Sequence, residues 1–224
     1  MIDNNINDIL ELYSKCGLLG EKCIIDTVES LLLAKDLDIK ITMGELYNKN
    51  SIELHFYTTK LNNDILETVD ISHKTHPNIE LIKALQMSMA YPILFEPIYY
   101  NNDYYIDGGI LNNYPLTNCL EKNKNDEEIL AFRSSIIKTD IKRLTHDTTL
   151  VDYITVLIRS IHKKLSKYKD DPHIDNTVYC RMNRCGINNW IEILSNIDKR
   201  KELIELGKES GENFYNKYIM KKKI

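Results

Sequence analysis

Glycine is scarce in this chain: there are eight in 224 residues, and the only adjacent pair is Gly108 and Gly109. A glycine-rich loop offering backbone N–H groups to an oxyanion is therefore missing from these residues. G-x-S-x-G is missing too, which removes the nucleophile elbow of serine hydrolases. Its nearest approach, "GKESG" over 207–211, puts Ser210 out of position within a helical pattern. No apolar run comes near the about 18 residues of a membrane span. The longest runs, "SLLLA" and "YPILF", are core-sized. The first residues, "MIDNNIND", are acidic and polar, so no secretory leader is expected. No C-x-x-C pair joins the five cysteines at 16, 23, 119, 180 and 185. An odd number of unpatterned thiols points to a reduced, cytoplasmic chain. Cys180 and Cys185 lack partner spacing for a metal, and no cofactor is expected. A net charge of −4 gives no global pull toward nucleic acid or acidic membranes. Abundant Asn, Ile, Lys and Tyr share A/T-rich codons, so much of the surface Asn and Lys reflects nucleotide bias.

What is present is enough apolar content for a real core and one organising stretch, "YYIDGGILNNYP" over 104–115. Tyr104, Tyr105 and Ile106 are strand formers that run into Asp107, and Gly108 and Gly109 follow. Glycines there permit a sharp turn, a positive φ, or close approach to another element. The pattern delivers a carboxylate to a rigid strand end, where catalytic carboxylates are usefully held. An Asp-Gly-Gly triplet alone is most simply a turn, so its surroundings carry the weight. Upstream, "ALQMSMAYPILFEPI" reads as a helix ending on Ser88 and Ala90, with Pro92, Phe95 and Pro97 after it. Downstream stand Asn112, Asn113 and Pro115.

This string resembles the patatin-like phospholipases, whose strand-end Asp-Gly-Gly carries the base of a Ser–Asp dyad. The resemblance implies an α/β fold of three layers with a mostly parallel central sheet, and Asp107 as proton acceptor on a turn shaped by Gly108 and Gly109. It covers the chain, 1–224, as the C-terminal two-thirds of such a domain, without the N-terminal strands and the nucleophile elbow. Within it, 1–50 is a helical segment, 51–135 a strand–helix–strand core holding Asp107, and 136–224 the C-terminal helices and strand.

Periodicity places the elements. Ile6, Ile9, Leu10 and Tyr13 predict a short amphipathic helix, broken by Gly17 and Gly20. A second helix spans 21–35, with Ile24, Val28, Leu31 and Leu32 inward. Thr42 and Glu45 form a capping-box signature for a third, through Tyr47. A half-buried strand over 51–59 alternates Ile52, Leu54 and Phe56 against Glu53, His55 and Tyr57. His55 falls in the polar set, at the surface or a pocket rim. Another short strand lies within 64–72. His73 and His76 are three apart, but Pro77 argues for extended chain rather than a metal-binding helix. Asn78 caps a helix over 79–89, with Ile82, Leu85, Gln86 and Met89 buried. Ser88 lies in it without a glycine elbow and reads as a packing residue. A hairpin around Asn101, Asn102 and Asp103 leads to Asp107, and Pro115 opens a helix through Leu120. A strand over 128–133, a helix over 151–167 with Ile154, Leu157, Ile158, Ile161 and Leu165 inward, and a strand in "NTVYCRM" follow. A last helix, with Leu203, Leu206 and Phe214 docking, resembles the family's C-terminal helix. The arginine and lysine face of 151–167 and the tail "KKKI" read as solvated.

An aspartate at its reference pKa of about 3.9 is a weak base. To accept a serine proton it must be desolvated and held within hydrogen-bond reach. The serine and the oxyanion loop precede everything seen here in the family. Three accounts are open: a start upstream of Met1, a separate chain supplying the nucleophile half, or a relic that binds acyl lipid or a partner protein. Loss of the central strands would leave the strand over 52–58 and the one ending at Asp107 with unpaired edges. The substrate implied is a lipid acyl ester, met in the cytoplasm or at a membrane surface; nucleic acid is not an expected partner.

Overall fold

In a computed structural model the described residues are 14–62, 64–122, 125–136, 144–166, 173–182, 192–193 and 195–222. The opening helix expected over 6–13 and Cys185 lie outside them. The chain divides into two units, Met1–Asn113 and Tyr114–Ile224.

The first unit is built on a hairpin. Asn101 and Asn102 take φ of 49° and 66°, the left-handed pair that a two-residue β-turn requires and asparagine tolerates. They join β5 (Ile98–Tyr100) to β6 (Asp103–Asp107). On its other side β6 pairs with β2 (His55–Lys60), setting Thr58 opposite Asp107. β2 in turn pairs with β3 (Glu67–Ser72), giving a four-stranded antiparallel sheet in the order β3-β2-β6-β5. Lys60 and Asp103, 2.6 Å apart, tie β2 to β6. A mostly parallel central sheet is the expectation. The fold is mixed α/β, and among the described residues its parallel pairing lies in two pairs: β1 (Gly17–Leu19) with β4 (Ile93–Phe95), and one in the second unit. Short connections within β2–β3 and β5–β6 force antiparallel neighbours, because parallel ones need a long crossover.

The unpaired edges expected at 52–58 and at Asp107's strand do not occur. β2 and β6 are the inner strands, and β3 and β5 take the edges. The strand also begins at His55 rather than Ser51; Ile52 is exposed, and Thr58 and Thr59 are fully buried in place of an apolar pair.

Three helices cover this sheet or extend its core. α1 (Lys22–Leu33) buries Ile24 and Leu32, while Leu31, at the margin of that row, is 64 % exposed. α2 (Met43–Asn50) opens on the expected capping box: Glu45 N–H donates to the Thr42 hydroxyl at 3.2 Å, and Thr42 N–H to the Glu45 carboxylate at 2.8 Å. α3 (Leu81–Met89) starts after Glu80, not at Ile79 behind an Asn78 cap. The reason is tertiary. The Ile79 carbonyl accepts from Met43 N–H, and Leu81 N–H donates to Ile41, so this backbone is spent on pairing with 41–43. α3 buries Ile82, Ala84, Gln86 and Met87, but Met89 turns outward. Leu32, Met43, Ile71, Ile79, Ala84, Met87 and Ile98 form the core.

The second unit holds α5 (Leu116–Lys122), a 3-10 turn (Asp126–Glu128), β7 (Ala131–Ile136), α6 (Leu150–Ser166), β8 (Thr177–Met182) and α7 (Ile197–Lys222). β7 and β8 pair in parallel. Leu116, Ala131 and Ile174 make a small core. In α6, Leu157 and Ile161 were expected inward, yet both are exposed. Among the described residues no helix is long and apolar enough to cross a membrane.

Candidate active site

Asp107 is the last residue of β6, and its backbone is held by a neighbouring carbonyl and by a threonine. Its N–H donates to the Ala90 carbonyl, 3.0 Å away, just past the end of α3. Its own carbonyl accepts from the Thr59 hydroxyl at 3.2 Å. One residue earlier, the Ile106 carbonyl lies 2.7 Å from the Thr58 hydroxyl, which is also 3.0 Å from the Met87 carbonyl of α3. The two buried threonines thus bind strand to strand and strand to helix at the level of the carboxylate. Unpaired buried carbonyls are costly, and a threonine hydroxyl can satisfy them without breaking the sheet.

The side chain is equally held. Gly109 N–H donates to Asp107 Oδ1 at 2.6 Å, and the group is half-buried rather than in bulk solvent. The chain does not form an open turn here. It passes straight into a short helix, α4 (Gly109–Asn112), with Gly108 at φ −63° before it. Neither glycine has a positive φ, contrary to one of the roles expected of them. What Gly108 supplies is proximity: a Cβ there would overlap the Tyr57 carbonyl of β2. A Cβ on Gly109 would sit 2.9 Å from Asn113 Oδ1 and 3.0 Å from Asp107 Oδ1. Missing side chains let β2, the carboxylate and Asn113 close together. Ile93, the first residue of β4, takes φ of 75°, a strained value for a β-branched residue.

The other sequence candidates fall into structural roles. Ser88 is half-buried in the last turn of α3. Ser210 is buried in α7, accepting from Arg181 N–H of β8 at 3.2 Å and donating to the Leu206 carbonyl at 2.8 Å. His55 is half-buried between carboxylates, with Nδ1 2.7 Å from Asp70 and Nε2 3.7 Å from Glu53. His73 stacks on Tyr47 with ring centroids 3.7 Å apart, whereas His76 meets the Thr75 hydroxyl. The two do not converge, and among the described residues no three His, Cys, Asp or Glu side chains gather around a metal-sized space. Cys16, Cys119 and Cys180 are free thiols. An open groove of about 620 Å³ belongs to the second unit, lined by Asp126, Glu127, His173, Asp175, Lys217 and Tyr218 among others, and no residue around Asp107 contributes to it. Sequence reasoning missed Thr58 and Thr59, and no local pattern marks two threonines in a strand as buried.

Residues 4–120 match the patatin-like phospholipase family. The chain belongs to that family. The matched span contains the whole of the Asp107 seat and ends within α5, so the expected kinship of the C-terminal helix is not part of it. A probable lipid hydrolase of Invertebrate iridescent virus 6 is 31% identical over 130 residues, 55% of this chain and 43% of that protein. An uncharacterized protein of Acanthamoeba polyphaga mimivirus is 30% identical over 106 residues, 47% of this chain and 34% of that one. The match therefore spans less than half the length of either relative.

Proposed function

We propose that this chain carries the aspartate half of a patatin-like Ser–Asp acyl hydrolase acting on lipid acyl esters. The observation that supports it most directly is the seat of Asp107. Its carboxylate is half-buried at a strand end and oriented by Gly109 N–H, within the span that matches the family. In this reading a serine from outside the 224 residues attacks the ester carbonyl, and its proton passes to Asp107. The tetrahedral oxyanion collapses to an acyl-serine, and the same proton leaves with the alcohol. Water then attacks the acyl-serine, with Asp107 again taking a proton and returning it to the serine oxygen. The oxyanion donors, like the serine, would come from elsewhere, in the same protein or on a partner chain.

The chain alone should not turn over a short-chain nitrophenyl ester. Supplemented with a polypeptide bearing a patatin-like glycine-rich loop and G-x-S-x-G, it should gain turnover that Asp107→Asn removes. Asn keeps the acceptor for Gly109 N–H and loses only the basicity. Turnover by the chain alone that Asp107→Ala abolishes would sink the split-site reading, because the nucleophile would then be here. A non-catalytic role, binding acyl lipid or a partner protein, is the second reading, favoured by the lack of G-x-S-x-G within these residues. It gains if supplementation never restores turnover while acyl lipid still binds.

A further inference from the structure

We propose that Thr58 is a positioning residue for Asp107, its hydroxyl holding the peptide that precedes the aspartate against the end of α3. The last carbonyls of a helix have no partner within it, and this helix end is buried, with Met87 and Ala90 each 1% exposed. The Met87 carbonyl lies 3.0 Å from Thr58 Oγ1, and the Ala90 carbonyl accepts from Asp107 N–H at 3.0 Å. The same Thr58 hydroxyl is 2.7 Å from the Ile106 carbonyl. A hydroxyl has one proton to give, so a single donor serves one carbonyl of α3 and one of β6. Unpaired carbonyls are costly in so dry a place.

The Ile106 carbonyl and the Asp107 N–H are the two ends of one peptide unit. That unit is planar. Thr58 holds its oxygen and Ala90 holds its hydrogen, so its orientation is set by β2 on one side and by α3 on the other. The orientation of that plane governs the direction in which the Asp107 side chain leaves the strand. Two residues on, Gly109 N–H meets Oδ1 at 2.6 Å, a short bond that only a narrow range of directions permits. Thr58 is also the cross-strand partner of Asp107, and its residue is fully buried. Valine would fill such a strand position with the same shape, so the hydroxyl, rather than the packing, distinguishes threonine here. Thr59 differs: its hydroxyl reaches the Asp107 carbonyl at 3.2 Å, on the far side of the aspartate from this peptide.

The inference rests on the reading of Asp107 as the base, but its first measurement needs no hydrolysis. In proton–nitrogen spectra of the full chain, the Gly109 amide resonance should move as the Asp107 carboxyl titrates, and Asp107→Asn should abolish that movement. Thr58→Val should largely abolish it as well, while Thr58→Ser, which keeps the hydroxyl, should retain it. Ile71→Val, in the core beside the same sheet, should lower the melting temperature and leave the Gly109 response intact. In the supplemented ester assay Thr58→Val should lower kcat about ten- to hundredfold with KM unchanged, the scale of a misplaced catalytic group, and Thr58→Ser should restore it. A full Gly109 response in Thr58→Val overturns the proposal, and so does an equal loss in Ile71→Val, since stability alone would then account for it. Should Thr58→Val fail to fold, Thr58→Ser decides: loss of the Gly109 response with the hydroxyl still present is equally fatal. If the supplemented, unaltered chain shows no turnover, the role of Asp107 as a base falls, whereas the Gly109 response still decides whether Thr58 positions it.

Discussion

In the first unit the backbone has no spare room at two glycines: a Cβ on Gly108, next to Asp107, would overlap the Tyr57 carbonyl, and one on Gly17 would overlap the backbone of Glu96. In the second unit, Gly207 and Gly211 stand within α7, and nothing lies within 4 Å of a Cβ built on either. The same residue type is a requirement in one place and a weakness in the other. The first unit spends its glycines on bringing strand, link and carboxylate into contact, and the family match covers almost all of it. The second has a small core and a long helix with open glycine positions, and most of it lies beyond the match.

The largest separation between the units should come from chemistry. In the supplemented assay, Asp107→Asn should lower turnover by about 10²–10⁴-fold, the usual worth of a general base. Its melting temperature should barely move, because the Gly109 N–H bond survives. Leu157→Glu, at an exposed position of α6, should leave turnover of a soluble ester intact. Loss of soluble-ester turnover in Leu157→Glu would tie the second unit to the chemistry and erase the division.

Gly108→Ala should come next in size. Its methyl meets backbone rather than a movable side chain, so β2 and β6 must part, at about 1–3 kcal/mol by the usual cost of overpacking. Urea unfolding followed by circular dichroism would measure it. A neutral result would mean that the strands do not approach as closely as the Tyr57 contact requires.

How much of this is legible in the sequence follows the same line between local and distant causes. The Asn101–Asn102 turn, the Thr42–Glu45 box and the strand running into Asp107 need only a few consecutive residues, and all can be read directly. The partners of β2 and β6 cannot, because pairing joins residues far apart in the chain, as between Thr58 and Asp107. Asn78 looks like a cap, but the backbone at 79–81 is taken by 41–43, and no window around Asn78 contains that information. Gly108 and Gly109 announce a special backbone, while whether it is a positive φ or close approach depends on Tyr57. For α6 the period is right and the burial wrong, since periodicity locates an apolar face without saying what covers it.

Thr42→Ala offers a smaller test confined to the first unit. Loss of an N-cap hydroxyl should cost about 1 kcal/mol. The Glu45 carboxylate of the same box is held below its ordinary value of 4.5, first by Thr42 N–H and then by the Thr42 hydroxyl. A carboxylate lowered in the folded state stabilises fully above its unfolded value and loses that contribution as pH falls through the folded one. The box should therefore weaken on acidification below 4.5, and Glu45→Gln should flatten that part of the pH–stability curve. An unchanged acid limb in Glu45→Gln would mean that the box is open in solution.

Gly207→Ala should have the smallest effect and the opposite sign to Gly108→Ala. Gly207 is exposed within a continuous helix, and no atom stands where its Cβ would go. Alanine there restricts the unfolded chain and pays no steric penalty, which is worth about 0.5–1 kcal/mol in a helix interior. The second unit should thus become slightly more stable, with no change in supplemented turnover. A loss of stability would show that α7 is not helical through 207 in solution. Ser210 would then no longer be fixed in a helix against Arg181, and the hydroxyl of "GKESG" would again have to be weighed as a reacting group.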